Sequence, residues 1–205
     1  AWVLPGIGEQ AERALIYLHG RCGDPKAFLT WPRAASAHGT IVSLVGDQAC
    51  ADGHRFKWSG DVVGLDQRVA RTLALLDQQL GSSLADKPRV AIGYSQGSLM
   101  AEALGTRFPE RYPRVILIGG PRAPKPGSLK KSAAILLMAG DKDAQQHLQL
   151  ARDEFVAAGR NAKFLPLPGA RHGEYGKEAE PVMNAALDWV LQSEPNPGEL
   201  ETAGR

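Results

Sequence analysis

A serine hydroxyl is a weak nucleophile near neutral pH. It attacks a carbonyl carbon only when a positioned base takes its proton and a carboxylate orients that base. The stretch Gly93-Tyr94-Ser95-Gln96-Gly97 has the spacing that presents such a hydroxyl. An apolar, partly β-branched run from Arg89 to Ile92 precedes it, and the helix-like Ser98 to Leu104 follows. In a strand-to-helix turn that tight, a Cβ two residues before or after the serine would collide with the neighbouring strand or helix. Glycine at 93 and 97 meets that demand, and Ser95 is the candidate nucleophile.

The acid and base should follow later strands. Gly140-Asp141-Lys142-Asp143 closes the apolar run Ser132 to Ala139. Asp143 has two more residues of turn than Asp141 with which to reach a histidine, so Asp143 is the expected acid and Asp141 a turn or capping carboxylate. Pro168-Gly169-Ala170-Arg171-His172-Gly173 follows the last apolar run, and His172 is the expected base. His147 falls within a helix after the acid turn, and His19 ends the first core strand; neither is where the base is needed. A tetrahedral intermediate needs two backbone N–H donors. Gln96, opening the elbow helix, should supply one. The loop His19-Gly20-Arg21-Cys22-Gly23 should supply the other, from Arg21 with Cys22 second.

Those positions require an alternating chain. Buried strands are expected at Ala14 to Gly20, Thr40 to Gly46, Arg89 to Gly93, Arg114 to Gly120 and Ser132 to Gly140, with an edge strand from Asn161 to Pro168, where prolines exclude a central place. Helices are expected from Asp24-Pro25 to about Ala37 with a break at Pro32, and after the cap Asp61. The Asp61 helix should bury Val62, Leu65, Val69, Leu73, Leu76 and Leu80, leaving Asp66 and Arg68 largely outside. A helix burying Leu148, Ala151 and Phe155 should stop at Gly159, and a last one should start near Pro181 and bury Val182, Ala186, Trp189 and Val190. Continuous apolar strands alternating with helices imply a mainly parallel, doubly wound α/β sheet, with ligands at the carboxyl ends of its strands.

The chain has 205 residues, 43% hydrophobic and 22% charged, which fits a single domain over residues 1–193 and a polar, disordered tail over 194–205. A net charge of +2 argues against a nucleic-acid partner, and no apolar run approaches the ~18 residues of a membrane span. No histidine or cysteine pair has metal-ligand spacing, and no cofactor is expected. Cys22 and Cys50 both fall in loops beyond neighbouring strand ends, where either a bridge or two free thiols is consistent with the sequence. A bridge would suit an exported protein, and free thiols a cytoplasmic one.

Taken together, His19-Gly20, the Gly93 to Gly97 turn, the Asp141/Asp143 turn and His172 make the chain resemble the α/β-hydrolase superfamily from about Ala14 to Leu191. It is most similar to the small carboxylesterase, phospholipase and acyl-protein thioesterase group, on Leu18-His19-Gly20, Ser95-Gln96-Gly97, the Gly-Asp-x-Asp turn and the lack of a cap domain. In that group the second aspartate is the acid, in agreement with Asp143. The resemblance implies a minimal α/β-hydrolase fold and hydrolysis of a small-molecule ester or thioester. A serine peptidase or amidase, or a binding protein that keeps the fold without turnover, is the alternative. Two departures stand out. The group's usual Gly-rich loop after the first core strand is replaced here by Arg21-Cys22. Cutinases share Gly-Tyr-Ser-Gln-Gly but flank the acid turn with a cysteine, and none follows Cys50. The short connection from Gly119 to Lys131 implies an open site. The aperiodic stretch from Asp47 to Gly60 should form a second wall, Cys22 and Trp58 being candidate substrate contacts and Trp58 equally a core anchor. Arg21, Arg122 and Arg171 are either a rim for anionic substrates or solvated charge.

Overall fold

The computed structural model describes residues 1–193, so the expected disordered tail lies outside the described residues. Its main sheet holds β1 (Trp2–Leu4), β2 (Ala14–Leu18), β3 (Thr40–Leu44), β6 (Val90–Tyr94), β7 (Arg114–Ile118), β8 (Ala134–Gly140) and β9 (Ala162–Leu167); β4 (Gln48–Ala49) and β5 (Phe56–Lys57) form a separate small hairpin. The helices are α1 (Pro32–His38), α2 (Val62–Leu80), α3 (Gln96–Arg107), α4 (Gln146–Ala157) and α5 (Ala179–Gln192).

The strand order is β1-β3-β2-β6-β7-β8-β9, all parallel except β1, which runs antiparallel to β3. The core strands are mostly apolar because successive residues serve opposite faces, both of them covered. Ile16, Leu18, Ala91, Val115, Leu117 and Leu137 pack with Leu65, Val69 and Leu73 of α2, Leu104 of α3 and Phe155 of α4. Their neighbours Leu15, Tyr17, Ile92, Ile116 and Leu136 pack with Ala35 of α1 and Met183, Leu187 and Val190 of α5. This is the doubly wound sheet expected. From β2 the chain passes to β3 on one side and reaches β6 on the other, so the winding reverses between β2 and β6. Such a reversal opens a crevice beyond the strand ends, and the loop after β2 and the turn after β6 both lie there.

Several local expectations need correction. Asp24 does not start a helix: its carboxylate accepts the Lys26 N–H at 2.8 Å in an exposed turn. A 3₁₀ turn (Ala27–Thr30) follows, and α1 begins at Pro32, whose missing N–H and fixed φ suit a first helical position rather than a kink. Asp61 does cap α2, accepting the Gly64 N–H at 2.9 Å. Asp66, expected outside, is only 6% exposed. It accepts Arg111 Nη2–H at 2.6 Å, Arg111 Nε–H at 3.1 Å and Tyr112 O–H at 2.9 Å. In α5, Met183 and Leu187 are buried while Val182 and Trp189 are only partly so. The 47–60 stretch contains the β4–β5 hairpin. The connection from Gly119 to Lys131 holds no helix or strand. Among the described residues no helix is long and apolar enough to cross a membrane.

Candidate active site

At the end of β6 the backbone of Ser95 takes φ 51° and ψ −116°, a conformation costing a side-chain-bearing residue about 1–3 kcal/mol. The surroundings hold it there. Ser95 N–H donates to Ile118 O at 2.8 Å, and Ser95 O accepts Ser98 Oγ–H at 2.6 Å. A Cβ on Gly93 would lie 2.1 Å from Gly97 O, and one on Gly97 2.0 Å from Leu18 O, so both positions admit only glycine. Ser95 Oγ is thereby lifted over the crevice between β2 and β6.

The acid turn and the base loop are laced together before either side chain is considered. Asp141 N–H donates to Leu167 O at 3.2 Å and Lys142 N–H to Ala170 O at 3.1 Å. His172 Nδ1 lies 2.7 Å from Asp143 Oδ2, and His172 Nε2 lies 3.1 Å from Ser95 Oγ. With Asp143 accepting from Nδ1–H, the Nε2 lone pair faces the serine proton. The Asp143 side chain is 13% exposed and that of His172 50%, so the carboxylate is sheltered while the imidazole meets the crevice. Of the rivals, Asp141 is exposed, and His147 Nε2 sits 2.8 Å from Gly120 O, away from Ser95. Tyr94 was not foreseen as part of the site. Its hydroxyl accepts the Gly173 N–H at 2.7 Å, and its ring meets the His172 ring edge-on at 5.7 Å between centroids. Burial pushes its phenol pKa up, which keeps the hydroxyl neutral. Its place between Gly93 and Ser95 was the one available signal.

The loop after β2 is ordered by its own carbonyls. His19 is 1% exposed, and its Nε2 accepts the Gly46 N–H at 2.9 Å, so Nδ1 carries the proton and donates to Gly20 O at 2.7 Å. Burial pushes the His19 pKa down, which keeps the ring neutral for this pairing. Gly20 O also accepts the Gly23 N–H at 2.9 Å, and Cys22 N–H donates to Phe56 O at 2.8 Å. Cys22, the second candidate donor, is therefore engaged elsewhere. Among the described residues the Arg21 N–H meets no acceptor. The Gln96 N–H, at the first position of α3, has no partner within its helix.

Neither tentative substrate contact lines the cavity beside Ser95. That cavity measures about 150 Å³ and is walled by Gly20, Arg21, Tyr94, His172 and Tyr175, among others. Cys22 is bonded to Cys50 instead. Trp58 is 4% exposed, with its ring 5.1 Å from that of His19 and its Nε1–H donated to His19 O at 2.7 Å, which makes it an anchor. Its backbone N–H and C=O pair with the Gln96 side chain at 3.1 Å and 3.0 Å. A wider groove of about 750 Å³, bordered by Lys142, Pro168 and Lys177, shares Ala27, Gly173 and Tyr175 with the smaller cavity. Arg21 lines the small cavity, whereas Arg122 is paired with Glu102 at 2.9 Å and Arg171 is exposed outside both spaces. Among the described residues no group of three His, Cys, Asp or Glu side chains could hold a metal ion.

No protein-family model matches the sequence, and no curated protein matches it either. Solved structures do. Esterase PE8 superposes with a TM-score of 0.64 at 20% identity, over 94% of this chain and 97% of that one. The Bacillus cereus carboxylesterase gives 0.61 at 17%, over 94% and 93%. FphF, a fluorophosphonate-binding serine hydrolase of Staphylococcus aureus, gives 0.63 at 12%, over 93% and 91%. At such identities the likeness is one of fold, and the fold is that of the α/β-hydrolases, with no cap among the described residues.

Proposed function

We propose that residues 1–193 form one catalytic domain, a serine hydrolase that cleaves carboxylic ester or thioester bonds through an acyl-enzyme on Ser95. The observation that carries this reading is the unbroken line from Asp143 through His172 to Ser95, at 2.7 Å and 3.1 Å, beside the Arg21 and Gln96 amides, which have no acceptor among the described residues. His172 Nε2 removes the Ser95 Oγ proton as Oγ bonds to the carbonyl carbon, and Asp143 stabilises the imidazolium that results. The Arg21 and Gln96 amides hold the oxygen that gains negative charge. When the tetrahedral adduct collapses, Nε2 hands its proton to the departing alcohol or thiol. Water then enters, gives its proton to Nε2, and releases the acid by the same steps in reverse order.

The likeness to an esterase, a carboxylesterase and a serine hydrolase supports this chemistry without assigning a substrate. The cavity at Ser95, about 150 Å³, matches a short acyl or aryl group in size. Labelling with a fluorophosphonate tests the reading. An adduct on Ser95 that is absent from Ser95→Ala is the expected result; a folded wild-type protein that takes no adduct near pH 8 overturns it. Rates on p-nitrophenyl esters, acyl thioesters and peptide amides then separate esterase, thioesterase and amidase activity.

A further inference from the structure

The β4–β5 hairpin is joined by a disulfide to the loop that carries the Arg21 amide, and the residue that follows it, Trp58, pairs with the side chain of Gln96. Each of its strands has two residues, paired Gln48 with Lys57 and Ala49 with Phe56. A ladder that short is marginal in water by itself. Its tip is closed by Cys50 N–H donating to Arg55 O at 2.8 Å, and Cys50 is bridged to Cys22 with 6.0 Å between Cα atoms. On the loop side, Cys22 N–H reaches Phe56 O, and Gly23 pairs with Phe56 as an isolated bridge. On the helix side, the strand leads into Trp58, whose backbone is gripped by the Gln96 side chain.

We propose that the Cys22–Cys50 disulfide is the positioning element of the oxyanion site, so that turnover depends on the thiol–disulfide state of the surroundings. The inference rests on the Ser95 hydrolase reading. Cys22 has φ 52°, a left-handed conformation unfavourable for a residue with a Cβ. The bridge and the Phe56 pairing hold it there. The turn so formed lets Gly23 N–H reach Gly20 O, and that carbonyl belongs to the same trans peptide as the Arg21 N–H. Pinning the C=O on one side turns the N–H to the other, and Gly20, Arg21 and Ser95 line the same small cavity. With the bridge open, Cys22 can return to negative φ. The Gly23 bond to Gly20 then breaks and the Arg21 amide turns away.

A dithiol can open the bridge. Its thiolate attacks one sulfur of the bridge and displaces the other cysteine as thiolate, which takes up a proton. The second thiol of the reductant then displaces the first cysteine and closes the reductant's own disulfide, so two electrons and two protons pass from the dithiol to Cys22 and Cys50.

The experiment compares kcat and KM on p-nitrophenyl acetate for the full chain as oxidised, after dithiothreitol treatment and desalting, and after reoxidation. Thiol alkylation and mass measurement verify each state, and far-UV circular dichroism is recorded alongside. Loss of one oxyanion donor lowers kcat by about 10²–10³-fold. Reduction is therefore expected to lower kcat by at least ~10-fold, leave KM within ~3-fold, preserve the helical signal and reverse on reoxidation. The doubly substituted Cys22→Ser, Cys50→Ser protein is expected to match the reduced form and ignore dithiothreitol. An unchanged kcat in verified reduced protein refutes the proposal. So does loss of the helical signal together with activity, because the bond would then hold the whole fold. An oxidised protein with neither turnover nor fluorophosphonate adduct instead brings down the hydrolase reading, and this inference with it.

Discussion

Replacing Gly97 with alanine should damage catalysis more than stability, and the structure sets the size of both effects. The new Cβ would sit 2.0 Å from Leu18 O, 2.6 Å from Leu18 C and 2.7 Å from His19 O, whereas real Cβ contacts do not fall below 3.0 Å. The gap must widen by about 1 Å. Leu18 lies in β2, hydrogen-bonded between β3 and β6, and His19 O is held by the Trp58 indole, so the strand end cannot give way. The start of α3 has to move instead, and it carries Ser95 on one side and the Gln96 amide on the other. Misplacing reacting groups by 1 Å costs about 10²-fold in rate. Overpacking of this kind costs about 1–3 kcal/mol, or roughly 2–12 °C in Tm for a chain of this size. The assay is kcat/KM on p-nitrophenyl acetate beside a thermal melt. Gly127→Ala serves as the control, since a Cβ there meets nothing within 4 Å. Wild-type rate and Tm in Gly97→Ala would show that the elbow is not sterically locked as argued.

Asp143→Asn should lower kcat by about 10⁴-fold through loss of the correct histidine tautomer, while exposed Asp141→Asn stays within about a factor of three; equal losses in the two variants would reverse the choice of acid. Asp66→Ala should cost about 3–5 kcal/mol in urea unfolding, because it strips the buried Arg89 guanidinium of its nearest carboxylate, 3.9 Å away, along with the bidentate Arg111 pair; a loss under about 1 kcal/mol would contradict that. His19 has a folded pKa depressed by burial below its ordinary value near 6.5, so the unfolded chain binds its proton first as pH falls. Its contribution is complete above about pH 6.5 and is lost as pH drops from there through the folded pKa. Unfolding free energies from pH 7.5 to 5 should therefore fall more steeply for wild type than for His19→Asn, and parallel curves would remove His19 from the account.

What could be read from the sequence was whatever depends on local sterics or on burial. A strand covered on both faces is apolar at most positions, and β2, β6 and β8 show that run directly. The elbow was legible because two glycines answer a clash within the turn itself. β1 was missed: Trp2, Val3 and Leu4 are an exposed, three-residue edge that exists only by pairing with β3. A carboxylate on a helix is normally solvated; the burial of Asp66 depends on Arg111 and Tyr112, which both come from the loop between α3 and β7. Asp24-Pro25 carries the local signature of a helix start, but Pro32, preset for a first helical position, marks where the helix begins.

The site divides along the same line. Ser95, Asp143 and His172 each sit at a strand end, and strand ends can be counted along the chain. The choice between Arg21 and Cys22 as donor could not be made that way, since adjacent amides in one loop look alike in sequence. Acceptors from elsewhere separate them: Phe56 O takes the Cys22 N–H, whereas the Arg21 N–H meets no acceptor among the described residues. Trp58 follows the same logic. Its indole N–H needs a buried acceptor and finds His19 O, which draws the ring inward and makes an anchor of a residue whose type suits a substrate wall equally well. Each of these assignments depends on a partner distant in sequence. The rim of the proposed site is therefore set by hydrogen bonds between loops and only indirectly by the Gly93 to Gly97 motif.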